Sequence, residues 1–237
     1  MNIALIGYGK MGKIIEDIAI SRGHNIGLKV TSENSDFSSE DLKDIDVAIE
    51  FSIPEAAVEN IKKCLNAGVP IAVGTTGWYE SIDDIAQLTK EKNGCILPAT
   101  NFSIGVNIFF EINKHLAALM AKQKQYEAMI TEIHHTQKKD APSGTAITLA
   151  EGIIEKSETK DRWTKELADL KSDLAIKSLR VEDVPGTHEV EYDSDIDVIT
   201  ISHVAKNRKG FGLGAVLAAE FITGKTGIYS MKDVLAI

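Results

Sequence analysis

The chain has 237 residues, 43% of them hydrophobic and 26% charged, with a formal charge of −9; that length has room for two modest domains or one large α/β unit, and that apolar content excludes wholesale disorder. The acidic balance argues against a nucleic-acid binder, because phosphate backbones are gripped by clustered Lys and Arg, so any anionic ligand needs a local cationic site. No apolar run nears the roughly 18 residues that span a bilayer, and the opening Asn2-Ile3-Ala4-Leu5-Ile6 lacks the basic and apolar regions of a signal peptide; no membrane partner is expected, and a cytoplasmic location is.

In chain order, short apolar runs predict strands over 2–6, 25–30, 46–50, 70–73 and 95–97, alternating with helical spacing over 10–21, 54–66 and 81–92. This is the pattern of a parallel sheet covered by helices. Pro54 suits the first turn of its helix and Gly68 the position just past its end. Cys64 and Cys95 have no CxxC or Cys/His ligand spacing, so both read as packing residues of a reducing compartment.

The pattern changes after Asn101. A helix is predicted near 106–122, an alternating strand over 126–135, and a second helix from about 145 to 156. The charged stretch 157–178 reads as a helix-containing surface excursion. Strands follow at 178–182, 189–192 and 198–204, without helices between them, so a mixed or antiparallel sheet is expected. A helix over 213–222 and a short closing segment, 231–237, end the chain. The expected organisation is a Rossmann-like domain, 1–103 completed by 211–237, and an α+β domain with a mixed sheet, 104–210.

Gly7-Tyr8-Gly9-Lys10-Met11-Gly12 follows a predicted strand and opens a predicted helix, the context in which a GxGxxG run signals a dinucleotide. Gly7 permits the tight turn, Gly9 lets the backbone approach a pyrophosphate, and Gly12 lets the helix pack close to the strand. Near the end of the second strand, Glu33 suits the ribose hydroxyl of NADH, whereas Lys29 or Lys10 suits the 2′-phosphate of NADPH, and both cofactors stay open. Gly74-Thr75-Thr76-Gly77 and Thr100-Asn101-Phe102 end later strands on the same edge, where open α/β sheets bind ligands.

The richest segment is Glu132-Ile133-His134-His135-Thr136-Gln137-Lys138-Lys139-Asp140-Ala141-Pro142-Ser143-Gly144-Thr145-Ala146. Two imidazoles and two ammonium groups precede a helix start at which Ser143, Gly144 and Thr145 offer N–H and hydroxyl donors to a carboxylate. Taken singly, each residue has a plainer reading: a core histidine, a solvated lysine, a Ser143 N-cap. Adjacent histidines on a strand point to opposite faces, so His134-His135 makes a poor chelate and no metal is expected.

This segment resembles the E-x-H-H-x-x-K-x-D-A-P-S-G-T-A signature of the 4-hydroxy-tetrahydrodipicolinate (dihydrodipicolinate) reductases of the diaminopimelate route to lysine. Gly74–Gly77, Asn101–Asn107, Gly186-Thr187-His188 and the stretch from Gly214-Ala215 to Leu235 are similar to family segments in the same order. The resemblance implies an NADH- or NADPH-dependent reduction of a small cyclic dicarboxylate by a homotetramer whose middle domain builds the assembly. It further implies that His134 donates a proton and that Lys138 holds the substrate and assists. His135, Ser143, Gly144 and Thr145 would bind carboxylates. The loop Gly7, Tyr8, Gly9, Lys10, Met11 and Gly12 would contact the cofactor, together with Gly74, Thr75, Thr76, Ala99, Thr100, Asn101 and Phe102. Two features depart from many members: the glycine run is one residue shorter than GxxGxxG, and the acidic-basic pair after the second strand is not recognisable, which leaves cofactor preference open. The rivals are another two-domain dehydrogenase and a nonenzymatic dinucleotide sensor; the latter has no need of His134, Lys138 and a carboxylate pocket together.

Overall fold

The computed structural model describes residues 1–165 and 171–237, which divide into two compact units, Met1–Ile104 with Arg208–Ile237, and Gly105–Asn207.

The first unit is built on six parallel strands: β1 (Asn2–Ile6), β2 (Asn25–Val30), β3 (Val47–Glu50), β4 (Ile71–Val73), β5 (Cys95–Pro98) and β11 (Gly227–Ile228), in the order β11-β5-β4-β3-β1-β2. The central strands read as continuous apolar runs because both faces are covered. Ile3 and Leu5 of β1 face α1 (Lys10–Ser21) and α6 (Lys209–Ile222), while Ala4 and Ile6 face α2 (Pro54–Asn66) and α3 (Ile82–Glu91). Both cysteines are buried in these two cores, and burial pushes both thiols up in pKa. Pro54 sits at the start of α2 with Glu55 in its first turn, and Gly68 follows with φ of +73°, as the start and stop signals require. Strand order reverses beside β1, since β2 lies on one side and β3 on the other. That reversal opens a crevice at the carboxyl ends of β1 and β3.

The second unit carries a mixed sheet of β6 (Glu127–His134), β7 (Arg162–Thr164), β8 (Asp173–Arg180), β9 (Thr187–Asp193) and β10 (Val198–Val204), ordered β10-β9-β6-β8-β7. β6 runs parallel to β8 and antiparallel to β9. Helices α4 (Ile104–Met120) and α5 (Gly144–Ile154) cover one face, joining Phe109, Phe110, Leu149 and Ile153 to Ile130, Ile176 and Val190 in one core. The opposite face leaves Leu179, Val198 and Val204 exposed.

Within 157–178, where the sequence reading expected a helix-containing surface excursion, the described residues hold β7 and the first part of β8; residues 166–170, and any helix among them, lie outside the described residues. β8 begins at Asp173, five residues before the predicted start. Asp173 is buried because Arg162, on the neighbouring β7, binds its carboxylate at 2.7 Å, and Leu174, Ala175 and Ile176 are buried behind it. Long-range pairing with β6, invisible to a local reading, decides this segment. β11, also unpredicted, is two residues long and places Gly227 and Ile228 at the edge of the sheet beside β5.

Candidate active site

The crevice of the first unit encloses about 540 Å³ and is lined by the Gly7–Gly9 turn, Val30 to Ser32 after β2, Phe51 to Ile53 after β3, and Asn60 and Lys63 of α2. Gly7 has φ of +92°, and a Cβ there would lie 2.1 Å from the Phe51 carbonyl oxygen. A Cβ on Gly12 would lie 2.8 Å from the Gly7 oxygen. Gly9 differs, because nothing stands within 4 Å of its missing Cβ and it directly precedes α1. The chain therefore offers unpaired N–H groups and open space at one helix start, which fits a pyrophosphate.

Around that turn, Glu16 receives the Tyr8 hydroxyl and binds Lys29 at 2.6 Å, while the Lys29 ammonium lies 4.8 Å above the Tyr8 ring. Lys29 is thus compensated by Glu16, and Lys10 and Glu33 are exposed. Lys63, which the sequence reading passed over, brings a cation to the crevice wall; its helical spacing from Asn60 was the available signal. Met11 packs against the core behind the turn. Of the later loops, Gly74 is required by its neighbour, since a Cβ would meet the Phe51 ring at 2.2 Å. Thr75 is buried and its Oγ1 accepts from the Ser52 N–H at 2.8 Å. Thr76 and Thr100 are exposed, Ala99 and Asn101 half-buried, and Phe102 is buried against Phe51, ring centroids 5.6 Å apart.

In the second unit the signature segment surrounds a carboxylate. Period-2 alternation along β6 puts Ile130, Glu132 and His134 on the helix-covered face, and all three are buried. The register sets Glu132 opposite His188 of β9 and Ser178 of β8, and His134 opposite Arg180. Glu132 accepts the Ser143 N–H on both oxygens at 3.1 Å, and Arg180 approaches Oε1 at 3.4 Å. His134 Nδ1 stands 3.4 Å and His188 Nε2 3.8 Å from Oε2. Burial pushes the Glu132 carboxyl upward, but His134, Ser143 and Ser178 outweigh it and hold the group well below the usual carboxylate range. Burial first, then the neighbouring His134, lowers His188 to about 3, so it is neutral at physiological pH.

Arg180 also ties down the loop after β6, donating to the carbonyls of Lys138 at 3.3 Å and Asp140 at 2.6 Å. Lys138 is partly exposed and binds Asp140 at 2.8 Å. Ser143 is indeed the N-cap of α5, accepting the Ala146 N–H, and its hydroxyl oxygen lies 3.2 Å from His188 Nε2. Its polar groups therefore serve the fold, leaving exposed Gly144 at the helix start beside buried Thr145. His135 follows the strand and is half-buried. A Cβ on Gly186 would come 3.1 Å from His134 Nε2, so the glycine keeps that ring edge clear. Glu132, Arg180 and His188 are the organising residues that the candidate set from the sequence leaves out. Among the described residues, no helix is long and apolar enough to cross a membrane.

A six-stranded parallel sheet with a glycine turn at its switch point, joined to a unit rich in buried acid-base groups, defines a pyridine-nucleotide-dependent reductase. Descriptions of the dihydrodipicolinate reductase N-terminus and C-terminus match residues 1–102 and 105–235, and the chain belongs to that family. The 4-hydroxy-tetrahydrodipicolinate reductase of Christiangramia forsetii is 48% identical, covering all of this chain and 98% of the relative. That of Neisseria meningitidis serogroup A is 34% identical over 94% of this chain and 84% of its own. A dihydrodipicolinate reductase from Paenisporosarcina sp. TG-14, solved with dipicolinate bound, superimposes with a TM-score of 0.75 at 21% identity over 97% of both chains.

Proposed function

We propose that this chain reduces 4-hydroxy-tetrahydrodipicolinate to tetrahydrodipicolinate, in the diaminopimelate route to lysine, and that it accepts both NADH and NADPH. The reaction consumes one hydride and one proton and releases water. The observation that carries the reading is the pairing of His134 and the α5 start with Glu132, with Lys138 held by Asp140 on the adjoining loop, in a chain whose other unit holds a glycine-turn crevice.

Bound cofactor supplies the hydride, and the chain's own residues do the rest. His134 gives the proton from the ring edge that Gly186 keeps clear, with Glu132 behind its other nitrogen. Lys138 and His135 hold the substrate, and the backbone donors of Gly144 and Thr145 take a carboxylate, with Ser143 fixing the helix start. In the first unit, Gly7 to Gly12 cradle the pyrophosphate, and Gly74 to Thr76 and Ala99 to Phe102 form the wall towards the nicotinamide. Lys63 on the crevice wall offers charge to a 2′-phosphate while Glu33 offers a ribose acceptor, which supports dual use. The exposed apolar face of the second sheet, with β10 as its uncovered edge, supports assembly into a homotetramer, because such edges invite pairing. A cytoplasmic location fits the reduced cysteines.

Steady-state oxidation of each cofactor with freshly generated substrate tests the proposal. Both should turn over, with a preference below about a hundredfold, or roughly 2.7 kcal/mol. A larger preference overturns dual use, and no oxidation with either overturns the reaction. Light scattering at micromolar concentration should give four copies.

A further inference from the structure

We propose that Glu132, His134 and His188 form a binding site for a divalent transition metal of the zinc class, and that its occupation inhibits the enzyme. One ligand atom from each of the three buried residues lies within 4.8 Å of the others. The Glu132 Oε2 to His134 Nδ1 and His188 Nε2 separations are 3.4 and 3.8 Å. Tetrahedral zinc with bonds of about 2.0–2.1 Å places its ligand atoms about 3.3 Å apart, so small ring rotations bring the set into range.

A second observation separates this cluster from an ordinary hydrogen-bonded core. His134 Nδ1 is buried and makes no well-formed hydrogen bond; its charged neighbour is Glu132 Oε2 at 3.4 Å, so a cation between them satisfies both atoms. Arg180 engages Oε1 of the carboxylate, Ser178 also binds it, and Oε2 shares the Ser143 N–H and faces the two imidazoles. Imidazole and carboxylate are a zinc-type donor set. Three protein ligands leave the fourth position to water, and the Ser143 hydroxyl, 3.2 Å from His188 Nε2, is the contact that the metal displaces. The neighbouring His135, which follows the strand, takes no part.

Metal bound here fixes the His134 ring from behind and competes with its proton. Inhibition therefore rests on the donor role proposed for His134, whereas binding does not. Titration of the full chain with Zn²⁺ against a chromophoric chelator, without substrate or cofactor, should show one metal per chain at micromolar concentration. H188Q should weaken it at least tenfold, and H24Q, in the first unit, should leave it unchanged. Co²⁺ bound to the wild-type chain should show the intense visible bands of four-coordinate N/O ligation, a readout that stands even if a variant fails to fold. Equal affinity in wild type and H188Q, or a weak octahedral cobalt spectrum, overturns the site. Metal binding without inhibition that a chelator reverses overturns the inhibitory role alone.

Discussion

The two units build their candidate sites in opposite ways. The first does so with backbone: its crevice is shaped by what glycine lacks, at Gly7, Gly12 and Gly74, and by helix N–H groups behind Gly9. The second does so with side chains, setting a buried carboxylate at the centre and two imidazoles, a guanidinium and a helix start around it. A backbone site tolerates change in every side chain that leaves the turn intact. A site built on a buried charge couples its members, because removing one strands the others without a partner.

The sharpest break between the units should come from His134→Ala. General acid catalysis contributes about 10²–10⁴-fold, so kcat should fall by that factor while dinucleotide affinity, measured by fluorescence titration, stays as in wild type. Affinity lost with turnover would place the signature segment in the cofactor site instead. Lys138→Ala should lower kcat and raise KM together. The double variant should lose much less than the product of the single losses, as groups acting in one unit do.

Within the first unit, two glycines two residues apart should separate folding from binding. Gly7→Ala puts a Cβ 2.1 Å from a carbonyl oxygen at positive φ, and should cost about 3 kcal/mol in denaturant unfolding. Gly9→Ala meets nothing within 4 Å and should cost less than about 1 kcal/mol, yet weaken the dinucleotide by at least tenfold. Equal affinities in Gly9→Ala and wild type would remove the pyrophosphate from this turn.

The same contrast governs what the sequence made legible. Gly7-x-Gly9-x-x-Gly12 is contiguous, Gly7 and Gly12 serve local backbone needs and Gly9 leaves the helix start open, so the crevice could be read directly from the chain. The Ser143 N-cap and the His134 strand end were legible for the same reason. Glu132 was half-legible, since alternation from His134 places it on the same face two residues back. His188 was not, because only the β6–β9 register sets it opposite Glu132. Arg180 belongs to β8, whose first half was hidden in a charged stretch that forms strands through pairing with distant residues rather than through its own periodicity.

The last expected effect concerns pH, and again it separates the units. His188 has its folded-state pKa lowered from 6.5 to about 3, by burial first and then by the adjacent His134. The unfolded chain therefore binds a proton below pH 6.5 that the folded unit refuses, so stability is fully present above that value and is lost as pH falls towards 3. Glu132 acts with the same sign but lower down, because its folded carboxyl titrates below the 4.5 of the unfolded chain. Between pH 6.5 and 4.5 the slope thus belongs to His188 among these two groups. At pH 5 its share is about 2 kcal/mol, from 1.5 pH units at 1.36 kcal/mol each, and it does not depend on how far below 4 the folded value lies. H188Q keeps a polar atom near the Ser143 hydroxyl and cannot titrate. Urea unfolding at pH 7.5 and 5.0 should therefore show wild type losing about 2 kcal/mol more than H188Q. An identical loss in both would mean that His188 is protonated in the folded chain at pH 5, paired with the Glu132 carboxylate.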